Sequence, residues 1–308
     1  MLKNRRTRNL LISIAVIVLA IVLIIFGERI SDTLESITGI PGRSKFPKIF
    51  SSKPKDGEVQ IHVIDVDQAD SILIRSTNGN ILIDTGTNDS EADLKAYLDA
   101  CKVKKIDYLI CTHPHYDHIG GADMIIEKYE VEKVLMTYMD DDSVTFDMLL
   151  ESIDRYDVIS EIPKVGAEYT LGALRFKILA PLEVSDDGNE MSLIVKLTHG
   201  DMDFLFMGDA GEATEKLLLE TYTETELDCE FLKVGHHGAE SASSEEFLSA
   251  VSADIAAISC GKYNEYGHPR GEVLARLADS GCDTVLRTDK MGTVVVSSNG
   301  SALTVISE

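Results

Sequence analysis

No C-x-x-C pair occurs in the chain, and its five cysteines, Cys101, Cys111, Cys229, Cys260 and Cys282, are scattered and odd in number. That excludes a four-cysteine zinc module and provides no disulfide framework. Cys111 and Cys260 close apolar, strand-like runs and read as small buried side chains. Basic residues are scarce as well. Lys and Arg number 29 against 52 Asp and Glu, for a formal net charge of −23. Four of the cations, Lys3, Arg5, Arg6 and Arg8, precede the first acid, so the remainder is more acidic still. Such a surface is well solvated and argues against a broad basic groove for nucleic acid. Two divalent metals would reverse the sign locally, which keeps a polyanion compatible with a metal site. There is no literal internal repeat.

What is present divides into four stretches. The basic tail, residues 1–9, leads into an apolar run from Leu10 to Phe26 broken only by Ser13. As a helix that run spans about 26 Å, close to the ~30 Å hydrocarbon core. Residues 10–26 therefore predict a single transmembrane anchor, with the tail cytoplasmic and the rest extracytoplasmic. A cleaved signal peptide is the competing reading, but Phe26-Gly27-Glu28-Arg29 has no small-x-small cleavage site and no lipid-attachment cysteine follows. Residues 27–57 collect Gly, Pro, Ser and Lys and read as a linker. Residues 58–308, with 44% hydrophobic and 26% charged residues in the whole chain, read as the folded domain.

Within that domain strands and helices alternate in two similar halves. Strands are expected at Val59–Val63, Ser71–Arg75, Asn80–Asp84, Ile106–Cys111 and Lys133–Met136, with helices at Asp89–Cys101, Ala122–Tyr129 and Phe146–Tyr156. The second half offers strands at Arg175–Leu179, Leu193–Leu197, Phe204–Met207, Glu230–Val234 and Ile255–Ser259. Its helices are Glu212–Tyr222, Glu245–Val251 and Gly271–Ser280, and short strands follow at Val285–Arg287, Thr293–Ser297 and Leu303–Ile306. The pattern is that of an α/β fold with helices outside two stacked sheets.

Thr112-His113-Pro114-His115-Tyr116-Asp117-His118-Ile119-Gly120-Gly121 sits between an expected strand and an expected helix. Imidazole nitrogens bind borderline divalent metals, and a carboxylate adds a hard ligand and negative charge. On a turn, His113 and His115 can face one way and Asp117 and His118 the other, which suits two metals about 3.5–4 Å apart. Asp209 ends a strand, where a carboxylate can bridge two metals or cap the helix that follows. His236 and His237 also end a strand. Adjacent residues on an extended chain point to opposite faces, so the two are not expected to bind a metal equally. Asp84 can orient a metal-bound histidine or serve as a turn residue. Asn264, Tyr266 and His268 occupy a loop bounded by Gly and Pro, from which His268 could donate a proton or clamp an oxyanion. His62 and His199 read as structural.

Those residues, in the motifs His62-Val63-Ile64-Asp65-Val66-Asp67-Gln68-Ala69-Asp70-Ser71, Ile81-Leu82-Ile83-Asp84-Thr85-Gly86, Phe206-Met207-Gly208-Asp209, Lys233-Val234-Gly235-His236-His237-Gly238 and Tyr266-Gly267-His268-Pro269, resemble the metallo-β-lactamase superfamily. Over about residues 58–306 they look like the hydrolase domain of ComEC-type competence proteins. The resemblance implies a four-layer αββα sandwich holding zinc, with manganese as an alternative, in one tight and one weaker site. It implies metal ligands at His113, His115, Asp117, His118, Asp209 and His236, catalysis by Asp117 and His268, and supporting or substrate-contact roles for Asp70, Asp84, Asn189, His237 and Asn264. The implied reaction is hydrolysis of a phosphodiester, in DNA or a cell-wall polymer, by metal-activated water. Hydrolysis of an ester, lactone or β-lactam on the same site is the alternative, and a degenerate binding domain a third reading. Two departures matter. Pro181 to Ser192 lacks the histidine that many superfamily members carry there, although Asn189 and Ser192 match the ComEC-type substitution. Asp67 and Ala69 stand where that family usually has glycines.

Overall fold

The computed structural model of the chain describes residues 52–138 and 142–306. The basic tail, the expected anchor at 10–26 and most of the linker lie outside the described residues. Among the described residues no helix is long and apolar enough to cross a membrane.

Two sheets carry the fold. The first has eight strands in the spatial order β15 (Leu303–Ile306), β14 (Val294–Ser298), β1 (Val59–Val63), β2 (Ile72–Arg75), β3 (Asn80–Ile83), β4 (Lys105–Cys111), β5 (Glu130–Met136) and β6 (Ile159–Glu161). Neighbours are antiparallel as far as β3 and parallel from β3 to β6. The second has seven, in the order β13 (Thr284–Arg287), β12 (Ile255–Ile258), β11 (Phe231–Lys233), β10 (Met202–Phe206), β9 (Ile194–His199), β8 (Leu174–Ala180) and β7 (Glu168–Leu171). There the parallel pairs run from β13 to β10 and the antiparallel ones from β10 to β7. The helices of the described residues are α1 (Glu91–Ala100), α2 (Tyr116–Ile119), α3 (Ala122–Lys128), α4 (Val144–Arg155), α5 (Glu212–Thr221), α6 (Glu224–Leu227), α7 (Glu245–Val251), α8 (Gly271–Asp279) and α9 (Thr288–Met291).

Side-chain alternation explains the layers. Val59, Ile61 and Val63 of β1, Ile72 and Ile74 of β2, and Ile81 and Ile83 of β3 enter one core with Phe176, Val195, Leu197, Phe204, Phe206 and Phe231 of the second sheet. Each buried Phe or Ile adds roughly 1.5–3 kcal/mol to that face-to-face packing. The other face of the second sheet, with Leu205, Leu232, Ala256 and Ile258, packs against Leu218 of α5, Phe247, Leu248 and Val251 of α7, and Val273 and Leu277 of α8. On the outer face of the first sheet, His62 lies 2.7 Å from the Tyr97 hydroxyl of α1, and Arg75 donates to the Cys101 carbonyl at the end of α1. Helices therefore cover both outer faces, as the sequence predicts, and His62 is a buried structural residue.

Most expected elements are present with small shifts at their ends; β5, for example, begins at Glu130 rather than Lys133. The edge strands β6 and β7 and the short helices α2, α6 and α9 were not expected. The loops that matter leave one edge: those after β1, β3 and β4 from the first sheet, and those after β8, β10, β11 and β12 from the second. Ligand sites in α/β sheets gather at such carboxyl ends.

Candidate metal centre

At that edge Asp117, His118, Asp209 and His237 come together, with one ligand atom from each lying within 4.8 Å of the others. The residues of the His113–His118 motif do not all sit on a loop, because Asp117 and His118 belong to the single turn α2. Asp84 holds that turn from behind. It accepts from His118 Nδ1 at 2.8 Å, and from the Thr112 backbone N–H and hydroxyl at 2.8 and 2.7 Å. With Nδ1–H committed to Asp84, His118 presents Nε2, 3.2 Å from Asp209 Oδ1. His237 is oriented in the same way. Its Nδ1–H donates to the Ser259 carbonyl at 3.1 Å, which leaves Nε2 3.5 Å from Asp209 Oδ2 and 3.4 Å from Asp117 Oδ2.

His118 Nε2, His237 Nε2 and Asp209 Oδ1 are buried and make no hydrogen bond among the described residues. Orphaned polar atoms of this kind are rare in native interiors. Two imidazoles with fixed tautomers, facing two carboxylates, are the donor set of a divalent site, so the residues fit a metal. Their electrostatics agree. Burial alone would depress His237, but Asp209, Asp117 and Asp70 push it up to about 10. Burial would likewise depress His118, but Asp209 and Asp84 raise it well above its ordinary value. Asp209, despite burial, is held well below the usual carboxylate range by His118 and His237. A metal entering here would replace protons with its own charge.

Of the adjacent histidines, the structure brings His237 into the cluster and leaves His236 outside it. His236 is partly exposed, with Nε2 3.9 Å from Asp209 Oδ2. Alternation along an extended chain does not apply here, because both residues adopt left-handed backbone conformations, with φ of 48° and 53°. The bend turns the second ring inward. Gly208, at φ 54°, makes the comparable turn that delivers Asp209.

His113 and His115 form a second, looser pair, with His113 Nε2 3.1 Å from His115 Nδ1. They do not join a cluster of three or more His, Cys, Asp or Glu ligands among the described residues. Ser192, in the segment that lacks a histidine, lies 3.4 Å from His113 Nδ1 and accepts from the Asp209 backbone N–H. Asn189 Oδ1 is buried without a hydrogen-bond partner among the described residues, and Asn189 lines the cleft together with His115 and Asp209. That cleft, of about 410 Å³, is also lined by Gln68, Tyr116, His236, Tyr266 and His268.

Asp70 and Asn264 have structural neighbours rather than a place in the cleft lining. Asp70 is paired with the fully buried Lys233 at 2.8 Å, and its Oδ1 lies 3.5 Å from His237 Nδ1. Asn264 accepts from the His268 N–H at 2.9 Å and donates to the carbonyls of His268 and Gly261. His268 is kept neutral, because burial and then His237 and His236 push it down to about 4. Asp67 takes a backbone of φ 66°, the conformation for which glycine is the easy choice, so the departure is accommodated rather than displaced. Sequence reasoning missed Lys233 and Gln68. The signal for Lys233 was a lysine inside the apolar run Phe231-Leu232-Lys233-Val234.

The geometry separates the two histidines experimentally. In metal-loaded, dialysed protein, His237→Ala should lose more affinity than the ~10–100-fold that follows loss of an outer partner. His236→Ala should keep its metal. Elemental analysis showing the reverse order would place the ion elsewhere.

Comparison with known proteins places the chain. The metallo-beta-lactamase superfamily matches residues 64–262. The chain is 30% identical over 266 residues to ComE operon protein 3 of Bacillus subtilis, covering 80% of this chain and 34% of that protein. It is 28% identical over 256 residues to competence protein ComA of Neisseria gonorrhoeae, covering 77% of this chain and 32% of that one. The chain thus spans about a third of the length of these relatives. Among solved structures, the metallo-beta-lactamase fold protein YhfI from Bacillus subtilis aligns with a TM-score of 0.54 at 12% identity, over 78% of this chain and 100% of that one. CmlA, a diiron beta-hydroxylase from Streptomyces venezuelae, aligns with a TM-score of 0.52 at 14% identity, over 76% and 53%. Likeness at such identity speaks for the fold alone. The family match and the shared two-sheet fold lead to one assignment: the chain belongs to the metallo-beta-lactamase superfamily and is related to the ComEC-type competence proteins.

Proposed function

We propose that the chain is a metal-dependent phosphodiesterase, carried on the cell membrane by residues 10–26 with its catalytic residues on the extracytoplasmic side. The observation that carries the hydrolase reading is the set of buried, unpartnered atoms His118 Nε2, His237 Nε2 and Asp209 Oδ1 beside an open cleft. Asp117, His118, Asp209 and His237 would hold one zinc or manganese ion tightly. His113 and His115, with Asp209 and the Asn189 amide oxygen, would hold a second more weakly. When bound, the metal supplies Lewis acidity and makes water a usable nucleophile at neutral pH.

The chain's own residues do the remaining work. Asp209 lines the same cleft as His115, and Asp84 and the Ser259 carbonyl orient the imidazoles of His118 and His237. Displacement at phosphorus needs charge met on both the entering and leaving oxygens, and two adjacent subsites suit that demand better than a single one. Among the described residues no Lys or Arg lines the metal cleft. The phosphoryl group therefore depends on the metal subsites and on His236 and His268. A neutral His268 is suited to hydrogen-bond a phosphoryl or leaving oxygen, and less suited to hand over a proton. Of the two roles open to it from the sequence, the clamp is the one its environment supports.

Two measurements test this reading. A tag at Glu308 should be digested by protease added to wall-stripped cells while the protein stays membrane-bound; a protected tag overturns the orientation. In the metal-loaded chain, Asp209→Ala or His118→Ala should abolish turnover of bis(p-nitrophenyl) phosphate. His268→Ala should slow nitrophenyl and alkyl diesters by similar factors. An extra loss of ~10²–10⁴-fold confined to the alkyl diester would restore the general-acid role. Cleavage of esters, lactones or β-lactams without any phosphodiester would give the function to the alternative chemistry, and metal binding without turnover would leave a binding domain.

A further inference from the structure

Gln68 lies in the loop after β1, and its side chain bridges two groups whose chemistry identifies its atoms. The backbone N–H of Gly261 can only donate, so the Gln68 atom 3.0 Å from it is Oε1. The other end of the amide, Nε2, then faces His268 Nδ1 at 3.4 Å. An amide NH₂ can only donate, which makes Nδ1 the acceptor. A neutral imidazole carries a single ring proton, and that proton must sit on Nε2. We propose that Gln68 is a positioning residue that fixes His268 as its Nε2–H tautomer, so that the ring meets the substrate as a hydrogen-bond donor.

The surroundings are built to keep the two side chains in register. Asn264 accepts from the His268 N–H and donates to the carbonyls of both His268 and Gly261, which ties the ring's backbone to the group that orients Gln68. The His268 ring stacks with Tyr266 at 5.6 Å between centroids and with His237 at 6.4 Å. With Nδ1 engaged, Nε2 is the nitrogen that remains for a ligand in the cleft that His268 lines. The arrangement joins the first loop of the domain to one of its last. It also gives the Asp67-Gln68-Ala69-Asp70 loop a task at the substrate side of the centre as well as at the metal side, where Asp70 stands behind His237.

The inference rests on the phosphodiester reading only for what the ring meets; the tautomer itself needs neither metal nor substrate. Long-range proton–nitrogen correlation spectra of the metal-free full chain, carrying isotope-labelled histidine, distinguish the protonated ring nitrogen from the bare one. Loss of signals in His268→Gln assigns them. The wild-type ring should carry its proton on Nε2, and an Nδ1–H ring overturns the proposal. Gln68→Glu preserves the shape and the acceptor for Gly261 but removes the donor, so His268 should gain a proton on Nδ1. An unchanged His268 in folded Gln68→Glu also overturns it; if that variant does not fold, the wild-type spectrum alone decides. An Nε2–H ring in a chain that cleaves no phosphodiester would uphold the tautomer while removing the function proposed above.

Discussion

Four carboxylates, Asp70, Asp84, Asp117 and Asp209, are closed into the rim between the two sheets, and the need to neutralise them organises the site. Asp70, Asp84 and Asp209 are buried. A buried charge left without a partner costs several kcal/mol, and breaking an existing buried pair costs roughly 3–5 kcal/mol. The chain answers two of the four by itself. Lys233 crosses from the second sheet to Asp70, and His118 with Thr112 satisfies Asp84. Asp117 and Asp209 face the imidazole nitrogens of His118, His236 and His237. A cation would complete the centre beside Asp117 and Asp209, the pair that no lysine or arginine among the described residues meets.

The topology makes this crowding possible. Each sheet joins a parallel group of strands to an antiparallel one, and the loops carrying chemistry leave the same edge of both. Left-handed backbones at Asp84, Gly208, His236 and His237 bend the chain sharply just past strand ends. The bends bring side chains from β3, β10 and β11 inward over the gap between the sheets. Hydrogen bonds then tie the loops together: within each half the Asp70 N–H donates to the Asp117 carbonyl and the Asp209 N–H to Ser192, and across the halves the Gly261 N–H donates to Gln68. Packing of the Phe and Ile core fixes the distance between the sheets on which all these contacts depend.

Much of this was legible in the sequence because alternation and helical periodicity are local. The central strands, the helices over their outer faces and the histidine motif all carry strong local patterns. The edge strands β6 and β7 do not, since they run for only three and four residues and none of their side chains is fully buried. Helices of four residues, such as α6 and α9, are too short to show a period. Which of His236 and His237 joins the cluster was not legible for a different reason. It depended on backbone dihedrals that residue types alone do not reveal, and non-glycine residues seldom adopt them. The pairings of Lys233 with Asp70 and of Gln68 with His268 span most of the domain, so no local pattern announces them.

The account's central claim is that Asp117, His118, Asp209 and His237 share one ion. Anomalous diffraction at the metal edge, from crystals of the metal-loaded chain, tests it most directly. The account predicts a peak within bonding distance of His118 Nε2, His237 Nε2 and an oxygen each of Asp209 and Asp117. A principal peak on His236, or one held by His113 and His115 alone, would contradict it.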